Sequence, residues 1–162
     1  MTSKEIFEEF LSGFLNCRDN GEMVSEMQHL HLPFNSLSLK TLDLSSNRMN
    51  GSIIPHFLGH VSQLVELHLF GNSWEGILTE AHFVNLTRLE QFQISTDIPP
   101  LSSSLIFIVT YDYLPPFNLS RVYIQNCRVG PGFPVWLRSQ TQLVDVLLDN
   151  TGISGRIPDE GS

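Results

Sequence analysis

Residues 39–55, LKTLDLSSNRMNGSIIP, decide the fold. They fit the pattern L-x-x-L-x-L-x-x-N-x-L-x-G-x-I-P at nearly every position, and residues 64–78, LVELHLFGNSWEGIL, repeat it. Three further copies begin at Leu89, Leu119 and Leu143, so the five starts are separated by 25, 25, 30 and 24 residues. Internal repeats of this period predict a solenoid, in which each unit buries its apolar face by stacking on its neighbours.

The fourth and sixth positions of each copy predict its strand. They are two residues apart, the period of a β-strand, so both side chains point inward. The pairs are Leu42/Leu44, Leu67/Leu69, Phe92/Ile94, Val122/Ile124 and Val146/Leu148. We therefore expect an α/β leucine-rich repeat solenoid, with a parallel sheet on the concave side and short helical or 3₁₀ turns on the convex side.

The ninth position of each copy predicts a buried ladder of polar side chains. There the chain leaves its strand, and an inward side chain must satisfy turn amides and carbonyls that water cannot reach. The residues are Asn47, Asn72, Asp97, Cys127 and Thr151. Asn supplies both donors and an acceptor, whereas the other three types supply less, so we expect the ladder to weaken toward the C-terminus.

The repeats divide the chain into two parts, residues 1–38 and residues 39–162. Residues 3–17 have apolar positions at helical spacing that Glu5, Glu8 and Glu9 interrupt, which predicts an amphipathic helix and no export signal. Residues 27–37 resemble another copy, but only 12 residues separate Asn35 from Asn47. A parallel crossover needs a dozen or more residues, so we expect a degenerate, partly deleted repeat that does not stack as a regular coil.

The 30-residue interval contains residues 104–118, SLIFIVTYDYLPPFN. Alternating apolar and β-branched residues predict an extra strand that the two prolines end, within a widened convex arc.

Composition and charge exclude several functions. The net charge is −8 with only nine Lys and Arg residues, which argues against binding to nucleic acid. No Ser-His-Asp order, phosphate loop or paired-carboxylate cleft is evident, so we expect neither an enzyme nor a cofactor. The pairs His56/His60 and His29/His31 each offer only two ligands, and no metal site is predicted.

The G-x-I-P form of the repeat resembles the extracellular repeats of plant receptors and related inhibitors. Residues 85–95, NLTRLEQFQIS, and residues 113–143, YLPPFNLSRVYIQNCRVGPGFPVWLRSQTQL, are similar to plant receptor-like proteins of the immune class, among them the ethylene-inducing xylanase receptors. The family often has Trp where Tyr113 stands, and this sequence shows neither cysteine-flanked caps nor as many repeats. The resemblance extends over residues 39–158.

This resemblance implies an extracellular, plasma-membrane-anchored protein that binds a protein or peptide ligand, signals through a co-receptor kinase and acts in defence. Two alternatives stay open. The first is a soluble leucine-rich repeat protein that inhibits hydrolases or binds another partner, and the second is a non-functional truncated paralogue. The sequence itself contains no apolar run of the ~18 residues that a membrane helix needs.

Outward positions of the predicted strands form the candidate binding surface, because alternate residues of a strand face opposite sides of the sheet. The candidates are Asp43, Glu66, His68, Phe70, Gln91, Gln93, Arg121, Tyr123, Asp145 and Asp149. Aromatic residues among polar ones are typical recognition anchors, although a solvated sheet surface shows the same pattern.

Three sequons predict glycosylation at Asn50, Asn85 and Asn118 if the chain enters the secretory pathway. Asn85 and Asn118 are the better candidates because each precedes a new coil.

Overall fold

The computed structural model describes residues 40–46, 50–52, 58, 61–98 and 105–154. The predicted N-terminal helix, the degenerate repeat, the four histidines of the two pairs and the ladder residue Asn47 lie outside the described residues.

Short strands recur once or twice in each coil of the described part. They are β1 (Thr41–Asp43), β2 (Asn50–Ser52), β3 (Glu66–Glu75), β4 (Ile77–Leu78), β5 (Gln91–Thr96), β6 (Ile106–Phe107), β7 (Arg121–Gln125) and β8 (Asp145–Asp149). Within the described ranges, two 3₁₀ helices, Glu80–His82 and Val135–Ser139, lie on the opposite side of the coils.

The main sheet is parallel, with the strand order β1-β3-β5-β7-β8, and β2 pairs with the second half of the long β3. Its register follows the repeat, since the fourth position of each copy pairs with the fourth position of the next. The aligned residues are Leu42, Leu67, Phe92, Val122 and Val146. The predicted fold class is confirmed, with 3₁₀ turns on the convex side of coils two and four.

The core lies behind the sheet and is built from the inward positions of successive coils. Leu67, Phe92 and Val122 are at most 3% exposed, because each is covered by coils on both sides. Full burial of such a side chain contributes about 1.5–3 kcal/mol. Val146, in the last described strand, is 44% exposed, so the stacking that covers the inner positions is incomplete there.

The predicted extra strand is much shorter than residues 104–118. Only Ile106–Phe107 is extended into a strand, β6, which pairs with β4 in a second small parallel sheet and bridges to Arg128. The remaining described residues of the arc are irregular. The predicted extra strand is present, but it ends at Phe107 rather than at the two prolines, because the β4 strand with which it pairs has only two residues.

Aromatic rings fill the wider cross-section of this arc. Phe83 contacts Phe92 edge-on at 5.5 Å between centroids and Phe117 at 5.9 Å, and Phe117 contacts Trp136 at 6.5 Å. Edge-to-face rings pack favourably beyond their buried area. The longer interval therefore has a rigid, well-filled interior.

The ladder prediction was wrong at Asp97, which is exposed, while Thr96 is fully buried and pairs with Asn72. In the other repeats the eighth position has a positive φ, between 50° and 65°, at Ser46, Gly71, Asn126 and Asn150. A β-branched Thr adopts that left-handed conformation only at a cost. Strand β5 therefore has no left-handed residue at its eighth position. Thr96 points inward instead, one residue before the predicted ladder residue Asp97.

The hydroxyl of Thr96 takes over the ladder function. It donates to the carbonyl oxygen of Trp74 at 2.7 Å and accepts from the backbone N–H of Ile98 at 3.3 Å. The other described ladder residues, Asn72, Cys127 and Thr151, are all buried.

Coils four and five approach each other backbone to backbone at Gly130. A Cβ on this residue would lie 2.1 Å from the carbonyl oxygen of Gly152 and 2.4 Å from its carbon. No side chain fits at that separation, so glycine is required here by the close approach.

Candidate functional site

The candidate surface is the outward face of the main sheet, where the side chains form three rows across the strands. The first row, which we call the polar row, contains Thr41, Glu66, Gln91, Arg121 and Asp145. The second row contains Asp43, His68, Gln93, Tyr123 and Leu147. The third follows at the strand ends and contains Ser45, Phe70, Ser95, Gln125 and Asp149. All ten sequence candidates lie on these rows.

The polar row is joined side chain to side chain over all five strands. The hydroxyl of Thr41 donates to one carboxylate oxygen of Glu66 at 3.3 Å, and the amide of Gln91 donates to the other at 3.3 Å. Arg121 donates to the amide oxygen of Gln91 at 3.3 Å and lies 3.6 Å from Asp145. Exposed bonds of this kind contribute little stability individually, but together they fix the side-chain conformations along one edge of the surface.

Tyr123 is held from two sides. Its hydroxyl donates to the carboxylate of Asp145, and this hydrogen bond raises the pKa of the phenol, with desolvation and the carboxylate charge adding to the effect. The guanidinium carbon of Arg121 lies 6.0 Å from the centre of the Tyr123 ring, within cation–π range. The ring is therefore fixed in place before any partner arrives, which lowers the entropy lost on binding.

Asp43 and His68 form the first pair of the second row. The pKa of the Asp43 carboxyl is lowered by Ser45, through its hydroxyl and then its backbone N–H, which lies 2.9 Å from Oδ1. His68 Nδ1 lies 3.9 Å from Asp43 and adds a weaker Coulombic contribution. The buried Nε2 atom of His68 has no hydrogen-bond partner among the described residues. The pair therefore presents the Asp43 carboxylate beside His68 Nδ1 on the surface, while Nε2 faces the interior of the sheet.

Apolar groups are interspersed with these polar ones. Phe70 and Leu147 are each 40% exposed; Leu147 pairs with the partly exposed Tyr123 on the neighbouring strand, whereas Phe70 lies two strands away on β3. A rigid aromatic group with apolar neighbours and a polar surround is the composition of an interface centre.

Among the sequon residues, the structure describes the side chains of two. Asn85 is exposed in a turn after the first 3₁₀ helix. Asn118 instead joins two coils, since its Nδ2 donates to the hydroxyl of Thr141 at 2.9 Å and its Oδ1 accepts from the N–H of Gln142 at 3.2 Å. Asn50 lies in β2.

Sequence reasoning missed the polar contacts between coils. Gln140, only 5% exposed, accepts the backbone N–H of Leu119 at 2.7 Å. Asn126 donates to the carbonyl oxygen of Thr96 at 3.2 Å and accepts from the amide of Asn150 at 2.9 Å. The signal in the sequence was the Asn at the eighth position of the last two copies, directly before Cys127 and Thr151.

Within the ranges that the structure describes, no three His, Cys, Asp or Glu residues are grouped closely enough to hold a metal ion. The same residues contain no helix that is long and apolar enough to cross a membrane.

A family model described as Leucine Rich Repeat matches residues 38–60. Receptor-like protein 1 of Arabidopsis thaliana is 32% identical over 125 residues, which are 76% of this chain. Two proteins of Solanum lycopersicum, Receptor-like protein EIX2 and Receptor-like protein EIX1, are 35% and 32% identical over 86 and 84 residues, each 52% of this chain.

The chain spans a small part of these relatives, 11% of the Arabidopsis protein and 8% of each tomato protein. The family model and the relatives are both of the kind that the motifs predicted. The resemblance to plant leucine-rich repeat receptor-like proteins is therefore confirmed.

Proposed function

Since the chain is a leucine-rich repeat solenoid of the plant receptor-like protein kind, we propose that it is a protein-recognition module whose concave face binds a protein or peptide ligand. Its role is binding rather than catalysis. Asp145 and Arg121 position Tyr123, and Phe70 and Leu147 provide the apolar contacts.

The fixed Tyr123 ring is the observation that supports this proposal most directly. A side chain already held by a carboxylate and a guanidinium loses little conformational freedom when a ligand packs on it. Neighbouring Gln93 and His68 provide polar groups that select among apolar partners.

Cross-linking from two matched positions tests the proposal. A photoreactive amino acid replaces Phe70 on the concave face or Val84 on the convex side, where the side chain is 60% exposed. In a receptor of natural length expressed at the plant cell surface, we expect an extracellular ligand to cross-link from position 70 and not from position 84. Tyr123→Ala should reduce this capture at least tenfold. Equal cross-linking from both positions would refute the concave assignment.

We also propose that the parent protein is extracellular and anchored in the plasma membrane, that it acts in defence, and that it signals through a co-receptor kinase. The similarity to proteins named receptor-like supports this. The reading frame on both sides of this chain tests it, because the proposal requires an export signal upstream and a membrane helix downstream. Modification of Asn85 in a secreted form would support the same route.

A further inference from the structure

A groove on the convex side, distinct from the concave face, is lined mainly by apolar and aromatic side chains, with polar atoms on part of its wall. It lies between the widened arc and the segment that ends in the second 3₁₀ helix, with a cavity volume of about 320 Å³. Phe107, Val129, Phe133 and Trp136 contribute to its lining, and the hydroxyl groups come from Thr110 and Tyr111. No charged side chain is among the described residues that line it.

The backbone on both sides of the groove is held by hydrogen bonds. The N–H of Phe107 donates to the carbonyl oxygen of Arg128 at 2.9 Å, and that of Ile108 donates to Leu78 at 2.8 Å. The N–H of Thr110 donates to a carboxylate oxygen of Glu80 at 2.6 Å, and this bond is the main reason that the pKa of Glu80 is lowered. The groove is therefore formed before a ligand enters, which favours binding.

Exposed apolar groups border the groove. Ile108 is 53% and Tyr111 84% exposed, and both line it. Beneath it, the rings of Phe107, Phe117 and Trp136 belong to the packed aromatic cluster, so the groove cannot easily collapse onto an empty space. Contact between water and the apolar surface of the groove is unfavourable. An apolar ligand that covers this surface would therefore bind favourably.

We propose that this groove binds a small, uncharged aromatic molecule of about two fused rings. An apolar cavity of roughly 150 Å³ holds a benzene ring, so a volume about twice as large suits a bicyclic molecule. An anionic ligand is disfavoured because the lining has no cation and the chain carries a net charge of −8. The hydroxyls of Thr110 and Tyr111 can bond one polar substituent of the ligand.

Titration with N-phenyl-1-naphthylamine, an uncharged fluorescent probe, tests this site. We expect saturable one-site binding, with quenching of the tryptophan fluorescence by energy transfer. Gly132→Leu should fill the groove and weaken binding at least tenfold, because a Cβ on Gly132 meets no atom within 4 Å. Val84→Leu, which adds a methylene on the convex side outside the groove, should leave binding unchanged.

Three results would overturn the proposal. The first is no saturable binding by the unaltered chain, and the second is unchanged affinity in a folded Gly132→Leu variant. The third is loss of binding in Val144→Ser, because that result would place the probe beside the last strand, β8. If Gly132→Leu does not fold, Ile108→Ser compared with Val84→Ser gives the same test at two similarly exposed residues. Tyr123→Ala should retain probe binding, so failure of the concave-face function is distinguishable from failure of this site.

Discussion

The turn at Asn72 and the turn at Asn126 and Cys127 both form a hydrogen bond to the preceding coil, but from different positions of the repeat. At the first, a fully buried Asn72 donates to the carbonyl oxygen of Leu44 in the preceding coil at 2.8 Å. At the second, the buried position is occupied by Cys127, and the partly exposed Asn126 donates to the preceding coil instead. Both arrangements connect a strand end to its neighbour, but only the first does so at a fully buried position.

The difference separates two contributions of a ladder residue. The hydrogen bond to the preceding coil can be supplied from either side of the turn, whereas the inward position needs only a side chain of suitable volume. Cys127, whose thiol approaches the carbonyl oxygen of Gln125 at 3.2 Å, behaves there as a small apolar group with a weak donor. The ladder does not simply weaken toward the C-terminus; its donor moves from the ninth position to the eighth.

Substitution of Asn72 should have the largest effect. We expect Asn72→Ala to lower the free energy of unfolding by roughly 3 kcal/mol, because it leaves a cavity and removes the donor for a buried carbonyl. Urea unfolding measures this change. A loss no greater than that of Asn126→Gly would eliminate the distinction between the two turns.

Gly130→Ala should cost about 2 kcal/mol, since the added methyl group overlaps the backbone of Gly152 and the two coils must separate. Gly132→Ala is the matched control two residues away, where open space surrounds the new Cβ. Thermal unfolding of both variants measures the difference, and equal midpoints would contradict the close approach of coils four and five.

The corrected ladder position predicts a difference between adjacent residues. Thr96→Val keeps the volume and removes the hydroxyl that donates to Trp74, so we expect a loss of about 1 kcal/mol. Asp97→Ala, at an exposed site, should change the unfolding free energy by less than about 0.5 kcal/mol. A larger loss of stability in Asp97→Ala than in Thr96→Val would show that Asp97 is the ladder residue.

Asn126→Gly should cost less than about 1 kcal/mol. Glycine keeps the positive φ, so the variant removes only the hydrogen bonds to Thr96 and Asn150 in a partly solvated site. Asn126→Ala would add the cost of the left-handed conformation and is expected to be worse. Equal stability of the two variants would show that this backbone conformation is not retained.

The buried thiol predicts a small pH effect. Burial raises the pKa of Cys127 to about 12, above the unfolded value of about 8.5. Its contribution to stability is therefore complete below pH ~8.5 and is lost as the pH rises toward the folded value. Between pH 7.5 and 9, we expect the unfolding free energy to fall by about 0.8 kcal/mol more than in Cys127→Ala. Parallel curves for the two proteins would contradict this.

Strand positions could be predicted from the sequence because period-two alternation states which side chains face the core. Counting positions along the repeat gives the wrong buried residue at the turn of the third copy. The ninth position is buried only where the eighth residue is left-handed, and Thr96 does not adopt that conformation. A β-branched residue at the eighth position was the available signal. Likewise, the outward positions were predictable, but their contacts were not, because Arg121 meets Gln91 only after a 30-residue arc sets the register between them.

The polar row has a consequence for how such arrays change in evolution. Repeats are gained and lost as whole units by unequal recombination, and each loss creates a new pair of neighbours. Loss of the third coil would place Glu66 beside Arg121, and loss of the fourth would place Gln91 beside Asp145. Both new pairs still combine a donor with an acceptor. The row can thus lose a unit without creating a clash of like charges, so the polar row itself does not oppose a change in the length of the array.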